Sequence, residues 1–108
     1  MTGRVTVAEL LELLKSHVGR ERGISQAELA AHLGCSTRHA RKLVQAARMD
    51  SIAVCGHPDT GHFIARTREE LEETCEFLRS RALSSLVQES KLRGMPLADL
   101  VGQLKVPT

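Results

Sequence analysis

The sequence is poor in aromatic residues: its 108 residues include two Phe and no Trp or Tyr. Proteins that hold single-stranded nucleic acid commonly stack bases on aromatic rings, so this scarcity argues against that mode of binding. It also leaves aliphatic side chains and alanine to build the core, a composition that favours helices over sheets. The length suits one compact domain overall.

Long hydrophobic runs and a cysteine framework are lacking too. No apolar stretch approaches the roughly 20 residues that a membrane span needs, and the N-terminus has no signal-peptide pattern. Three cysteines, an odd number without framework spacing, fit a reducing compartment. We therefore expect a cytoplasmic protein with reduced thiols and no membrane partner.

Catalytic and metal-binding patterns are equally sparse. The sequence has no Gly-rich phosphate loop and no nucleophile with a nearby base and orienting group. The histidines and cysteines form two loose groups, namely His32, Cys35 and His39, and Cys55, His57 and His62. Neither group supplies four ligands at zinc-finger spacing. We expect no enzyme, no metal site and no cofactor.

Helix-start signals occur at four places. Thr6, Ser25 and Thr67 are each followed three residues later by Glu, the capping-box pattern that satisfies backbone amides at a helix start. Ser36 can cap a further helix. Apolar spacing then predicts helices over residues 7–18, 25–33 and 36–49, a long helix of about 25 residues from Arg68, and one or two turns or a frayed end within 97–104.

The pattern between the third helix and the long helix is that of a β-hairpin. Residues 52–54 and 63–64 are β-prone, and residues 57–61 between them are rich in turn formers. The predicted fold is mainly α with a small β-hairpin. We assign residues 1–66 to the helices and hairpin, and residues 67–108 to a C-terminal helical extension.

The two helices that flank Gly34 carry a recurrent packing pattern. Ala30 is small where the first helix approaches the second, Gly34 can turn the chain, and Ala40 and Leu43 are spaced to lock the second helix. On these residues the sequence resembles the winged helix-turn-helix family over residues 26–66. The short wing before a Thr-capped, Glu-rich helix looks like small phage or prophage-encoded winged-helix proteins. The resemblance implies a winged helix-turn-helix followed by a long C-terminal helix.

The resemblance also implies sequence-specific binding of double-stranded DNA, by a transcription regulator or a phage replication or packaging factor. Residues 36–49 carry four basic and no acidic residues, whereas residues 67–78 carry five Glu and one Arg. In this family the second helix enters the major groove, where Arg can bind guanine and Gln can bind adenine. The candidates for base reading are Arg38, Arg41 and Gln45, and those for phosphate contact are Ser36, Thr37, Lys42 and Arg48.

Two alternatives stay open at this point. A basic helix face can simply be solvated, in which case the domain is a protein–protein interaction module without specific DNA reading. The hairpin carries His57, Asp59, Thr60 and His62 instead of Lys or Arg. It can therefore contact DNA weakly or serve mainly to cover the core.

The long helix carries more apolar surface than one small three-helix core can cover. Its stripe consists of Leu71, Cys75, Leu78, Ala82 and Leu86, and it is broadened by Phe77, Leu83, Val87 and Leu92. We expect a homodimer through this helix, with Cys75 as a small core residue. The alternative is that the helix folds back over residues 7–18 and buries its stripe internally.

Overall fold

A computed structural model of the chain describes residues 5–104. Residues 1–4 of the predicted first segment and residues 105–108 of the predicted C-terminal extension lie outside this range. The described elements are α1 (Val7–Leu14), a 3-10 turn (Arg20–Arg22), α2 (Gln26–Leu33), α3 (Thr37–Met49), β1 (Val54–His57), β2 (Gly61–Ile64), α4 (Arg68–Arg93) and α5 (Leu97–Gln103). The predicted fold class, mainly α with a small hairpin and a long helix after it, is confirmed.

The predicted capping residues do begin the helices. Each hydroxyl oxygen accepts a hydrogen bond of 3.0–3.4 Å from the backbone amide three residues later, at Thr6, Ser25, Ser36 and Thr67. Helix α2 stops at Gly34, whose φ of 70° lies in the left-handed region that glycine enters at little cost. Short polar side chains and one glycine therefore set the turn between α2 and α3.

The first helix is shorter than predicted, because it ends at Leu14 and not at residue 18. The connection between α1 and α2 is drawn into sheet pairing instead. Val18 forms a parallel bridge with Ile64, and Ile24 forms an antiparallel bridge with His62. The two-stranded antiparallel hairpin thus gains a third extended segment along β2, which overrides the helical spacing at Val18.

The core of the first part of the chain is aliphatic and lies among α1, α2, α3 and the hairpin. Its buried residues are Leu10, Leu14, Ile24, Leu29, Ala30, Ala40, Leu43, Val44, Ala47 and Val54. Ala40 and Leu43, which were predicted to lock α3, belong to this set, together with Val44 and Ala47 on the same face of the helix. Burial of this face fixes which side of α3 points outward.

The chain forms two compact units, the first ending at Thr74 and the second beginning at Cys75, so the division falls within α4. In the second unit Ser90 and Leu100 are buried. Several large apolar side chains of that unit are exposed: Leu78, Leu83, Val87, Leu92, Val101 and Leu104. None of the helices within residues 5–104 combines the length and apolar character that a membrane crossing requires.

The prediction that Cys75 is a core residue is wrong, since its side chain is exposed. Cys75 does share the spacing of Leu71 and Leu78, and both of these are also more than one-third exposed. Helical spacing identified residues on one face of α4, but spacing alone does not show whether another element covers that face.

Candidate nucleic-acid interface

The outer face of α3 is defined by four exposed side chains, Arg38, Arg41, Lys42 and Gln45. They follow one another at intervals of three, one and three residues, which places them on one side of the helix. The buried apolar residues of α3 occupy the other side. Among residues 5–104 the four side chains make no hydrogen bond or ion pair with another residue. The structure therefore brings the three base-reading candidates and one phosphate candidate, Lys42, together on one accessible surface.

Carboxylates neutralise cations elsewhere in the chain but not on this face. Ion pairs join Lys15 to Glu12, Arg20 to Glu73 and Arg93 to Glu89. Helix α3 itself contains no acidic residue. A helix face with three cations and no internal counter-ion attracts an external anion, and phosphate groups of a duplex are anions at regular spacing.

The first turn of α3 is held by polar contacts that the sequence only partly predicted. Ser36 and Thr37 are exposed, as expected of phosphate-contacting candidates, and the Ser36 hydroxyl oxygen is occupied as the helix cap. The side-chain amide of Gln26 donates to the carbonyl oxygen of Thr37 at 2.9 Å. The sequence analysis did not select Gln26, because a side chain that joins two helices leaves no periodic signal.

Arg48 is placed differently from the other candidates. Its side chain is half-buried, and its Nε donates to the carbonyl oxygen of Val54 at 2.7 Å. This bond fastens the last turn of α3 to the start of β1. Met49, which the sequence analysis did not select, is 84% exposed and lies four residues after Gln45, at the end of the outer face. Its position continues the outer face by one apolar side chain.

The hairpin brings no cation to the interface. At its tip the backbone amide of Asp59 donates to Nδ1 of His57 at 3.1 Å. A cavity of about 180 Å³ beside the tip is lined by Arg20, Gly56, His57, Asp59, Thr60, Phe63, Glu70, Glu73 and Thr74. Three of these residues carry carboxylates, so this side of the hairpin repels phosphate.

Glu70 has a larger structural role than the helix cap that the sequence predicted. Its carboxylate accepts hydrogen bonds from the backbone amides of Arg20 at 2.8 Å and Arg66 at 2.7 Å, and from the amide of Thr67 at 3.3 Å. These bonds, the one from Arg20 first, hold the pKa of Glu70 below its ordinary value. The start of α4 is thereby tied to the 3-10 turn, a contact between segments about 50 residues apart in sequence.

His62 on β2 also has a shifted pKa. Burial lowers the pKa of His62, and the positive charge of Arg48 lowers it further. The ring remains neutral at neutral pH, so it adds no cation beside α3. Within the described residues no three His, Cys, Asp or Glu side chains lie close enough together to hold a metal ion.

Comparisons with protein-family models, curated proteins and solved structures found no match for this chain. The interpretation of the site therefore depends on the geometry and charge of its own residues.

Proposed function

We propose that this protein binds double-stranded DNA sequence-specifically through α3, as a transcription regulator or a phage replication or packaging factor. One observation carries the proposal: the outer face of α3 presents three cations that form no ion pair within residues 5–104. The opposite face is buried in the core, so the outer face is held in a defined direction. An α-helix is about 10–12 Å wide, and the major groove is about 12 Å wide, so α3 fits the groove.

The four side chains of the outer face suit different parts of the duplex. Arg38 and Arg41 can each form two hydrogen bonds with the edge of a guanine, and Gln45 can do so with an adenine. Lys42 is a point charge suited to phosphate, with Ser36 and Thr37 at the helix start as further phosphate donors. Arg48, bonded to Val54, serves primarily to connect α3 to the hairpin.

The proposal is tested by selecting preferred duplexes from a random pool at two salt concentrations. Against the selected duplex, Arg38→Ala or Arg41→Ala should cost roughly 1–3 kcal/mol of binding free energy and relax the preference at one base position. Lys42→Ala should weaken binding to all duplexes alike and reduce the slope of log affinity against log salt by about one unit.

A matched control is Lys15→Ala, which removes the same charge from the residue directly after α1, where Lys15 is already paired with Glu12 at 2.7 Å. Its affinity for DNA should equal that of the wild type. If all three α3 variants bind duplexes as the wild type does, the DNA proposal is wrong. The outer face would then belong to a protein–protein interaction module.

We further propose that α4 pairs with α4 of a second copy of the chain. Leu78, Leu83 and Val87 are each about 40% exposed, although they are large and apolar. The charge along α4 is also segregated: residues 68–76 carry five Glu and one Arg, and residues 77–93 carry four basic residues and one Glu. An antiparallel pair brings unlike charges together, whereas a parallel pair brings Glu beside Glu. We therefore propose an antiparallel homodimer.

Light scattering at tens of micromolar protein tests the dimer. Leu78→Glu combined with Leu86→Glu should give a folded monomer, whereas Gln88→Glu, which lies off the stripe, should leave the dimer intact. Added salt should weaken an antiparallel dimer by screening attraction, and it would strengthen a parallel one by screening repulsion. A wild-type chain that is monomeric at this concentration would refute the proposed dimer.

A further inference from the structure

Two hydrogen bonds of the Gln26 side chain, one to a side chain and one to the backbone, connect the hairpin to the first turn of α3. The imidazole Nε2 of His62, on β2, lies 2.6 Å from Oε1 of Gln26. Gln26 in turn donates from Nε2 to the carbonyl oxygen of Thr37 at 2.9 Å. Because Gln26 is the first residue of α2, one side chain joins three elements.

The direction of these bonds determines the tautomer of His62. A carbonyl oxygen can only accept, so the amide nitrogen of Gln26 must face Thr37 and its oxygen must face His62. That oxygen also only accepts, and therefore Nε2 of His62 must carry the hydrogen. In the neutral ring Nδ1 is then an acceptor, and it is buried without a hydrogen-bond partner among the described residues.

The groups around His62 favour its neutral form. Burial and the nearby charges of Arg48 and Arg41 lower the pKa of His62, and they outweigh the carbonyl oxygen of Cys55, which would favour a protonated ring. Gly56 lies directly opposite His62 in the strand register. A β-carbon at position 56 would lie 2.7 Å from Nδ1, so only glycine leaves room for the ring.

The backbone of His62 is fixed at the same place as its side chain. The amide of His62 donates to the carbonyl of Ile24 at 2.7 Å, and the amide of Ile24 donates to the carbonyl of His62 at 2.8 Å. Ile24 precedes α2 by two residues. The backbone and the side chain of His62 therefore both bond to residues at or just before the start of α2. The hydrogen bond from Gln26 to Thr37 connects this point to α3.

We propose that Gln26 and His62 are positioning residues, which hold the outer face of α3 at a fixed angle to the hairpin. This inference rests on the proposed DNA binding. Base reading requires side chains placed to within about 0.5 Å, and Arg38 and Arg41 lie within the first turns after Thr37. We therefore expect the hydrogen bond at Thr37 to affect the recognition of bases, which depends on exact placement, more than the attraction to phosphate, which depends on charge.

Gln26→Met tests the positioning role, since it keeps the length and neutrality of the side chain but removes both hydrogen bonds. The preference for the selected duplex over a random-sequence duplex should fall about tenfold, with the affinity for the random duplex unchanged. Gln88→Met, the same substitution at an exposed site on α4, should change neither value. His62→Gln retains an N–H donor toward Gln26 and should keep most of the preference.

Nuclear magnetic resonance of the histidine rings tests the hydrogen bonds without DNA. A long-range proton–nitrogen spectrum at neutral pH should show His62 as the Nε2–H tautomer, and the resonance of this Nε2–H should shift in Gln26→Met, which lacks its acceptor. A neutral ring that carries its hydrogen on Nδ1 would overturn the inference, because its Nε2 could not donate to Gln26. So would the expected tautomer combined with an undiminished duplex preference in Gln26→Met. A wild-type protein with no duplex preference would instead overturn the DNA proposal, and the positioning role with it, while the spectrum still reports the hydrogen bonds.

Discussion

Helices α3 and α4 carry apolar residues at the same spacing but use them in different ways. On α3 the apolar face is buried, with Leu43 only 7% exposed, whereas Leu78 on α4 is 41% exposed. Their polar residues differ as well, because α3 is purely basic and α4 begins with a cluster of Glu. The comparison shows that spacing defines a face, and that the neighbouring elements decide whether the face is core or surface.

The largest expected effect is a difference in stability between two variants that carry the same Leu→Asp substitution, one on α3 and one on α4. Leu43→Asp places an unpaired carboxylate in the core of the first unit, at a cost of several kcal/mol, comparable with the roughly 5–15 kcal/mol that stabilises a small domain. We expect cooperative thermal unfolding, followed by circular dichroism, to disappear. Measured at a protein concentration low enough to keep the chain monomeric, Leu78→Asp on α4 should change the free energy of unfolding by less than about 0.5 kcal/mol, as at other exposed sites.

Equal losses of stability in the two variants would contradict this contrast. A Leu43→Asp protein that keeps a cooperative transition near the wild-type temperature would show that the inner face of α3 is not core. Urea unfolding of both variants at the same protein concentration provides the numerical comparison.

The sequence was sufficient for features that depend on local chemistry. Ser36 was predicted to cap α3 because a serine hydroxyl can accept a bond from an amide of the first turn, and it does so. The buried face of α3 followed from the period of 3.6 residues, with Ala40 and Leu43 as predicted. The cationic side chains then had to lie opposite, so most of the candidate interface was predictable.

Features that depend on distant segments were not predictable. Val18 continues the helical spacing of α1, but sheet pairing with Ile64 removes it from the helix. Arg48 shares the spacing of the outer face, yet its side chain reaches Val54. The contact between Gln26 and His62 joins residues 36 apart in sequence, and no pattern of either segment signals it. In each case a tertiary contact overrides the local preference.

Replacing a glycine by alanine should have opposite effects on stability in the packed first unit and in the second unit. Gly56→Ala would place a β-carbon 2.7 Å from Nδ1 of His62 and 3.2 Å from Nη2 of Arg48. Overpacking of this kind costs about 1–3 kcal/mol of stability. Gly102→Ala in α5 meets no atom within 4 Å and should stabilise its helix by up to about 1 kcal/mol.

Denaturant unfolding of each glycine variant beside the wild type measures both effects. The opposite signs are the informative result, since the residue change is identical. If Gly56→Ala is as stable as the wild type, then the His62 ring does not occupy the space above Gly56, and the tie between the hairpin and α3 loses its structural basis.

The smallest expected effects are on the pH dependence of stability. One group beside α3 and one group at the start of α4 should each make the free energy of unfolding fall in a different pH range. His62 beside α3 has a lowered pKa because burial and the cations Arg48 and Arg41 disfavour its proton. The unfolded chain therefore binds this proton more readily than the folded one below about pH 6.5, the ordinary pKa of histidine. The stability contributed by neutral His62 is present above that pH and is lost as the pH falls.

Glu70, at the start of α4, also has a lowered pKa, but here the charged form is favoured, because backbone amides donate hydrogen bonds to the carboxylate. Its contribution is complete above about pH 4.5, the ordinary value, and is lost as the pH falls further. Urea unfolding at a series of pH values should thus show two separate declines. His62→Gln should flatten only the upper decline, and Glu70→Gln only the lower one. If His62→Gln leaves the upper decline unchanged, another group is responsible for that decline.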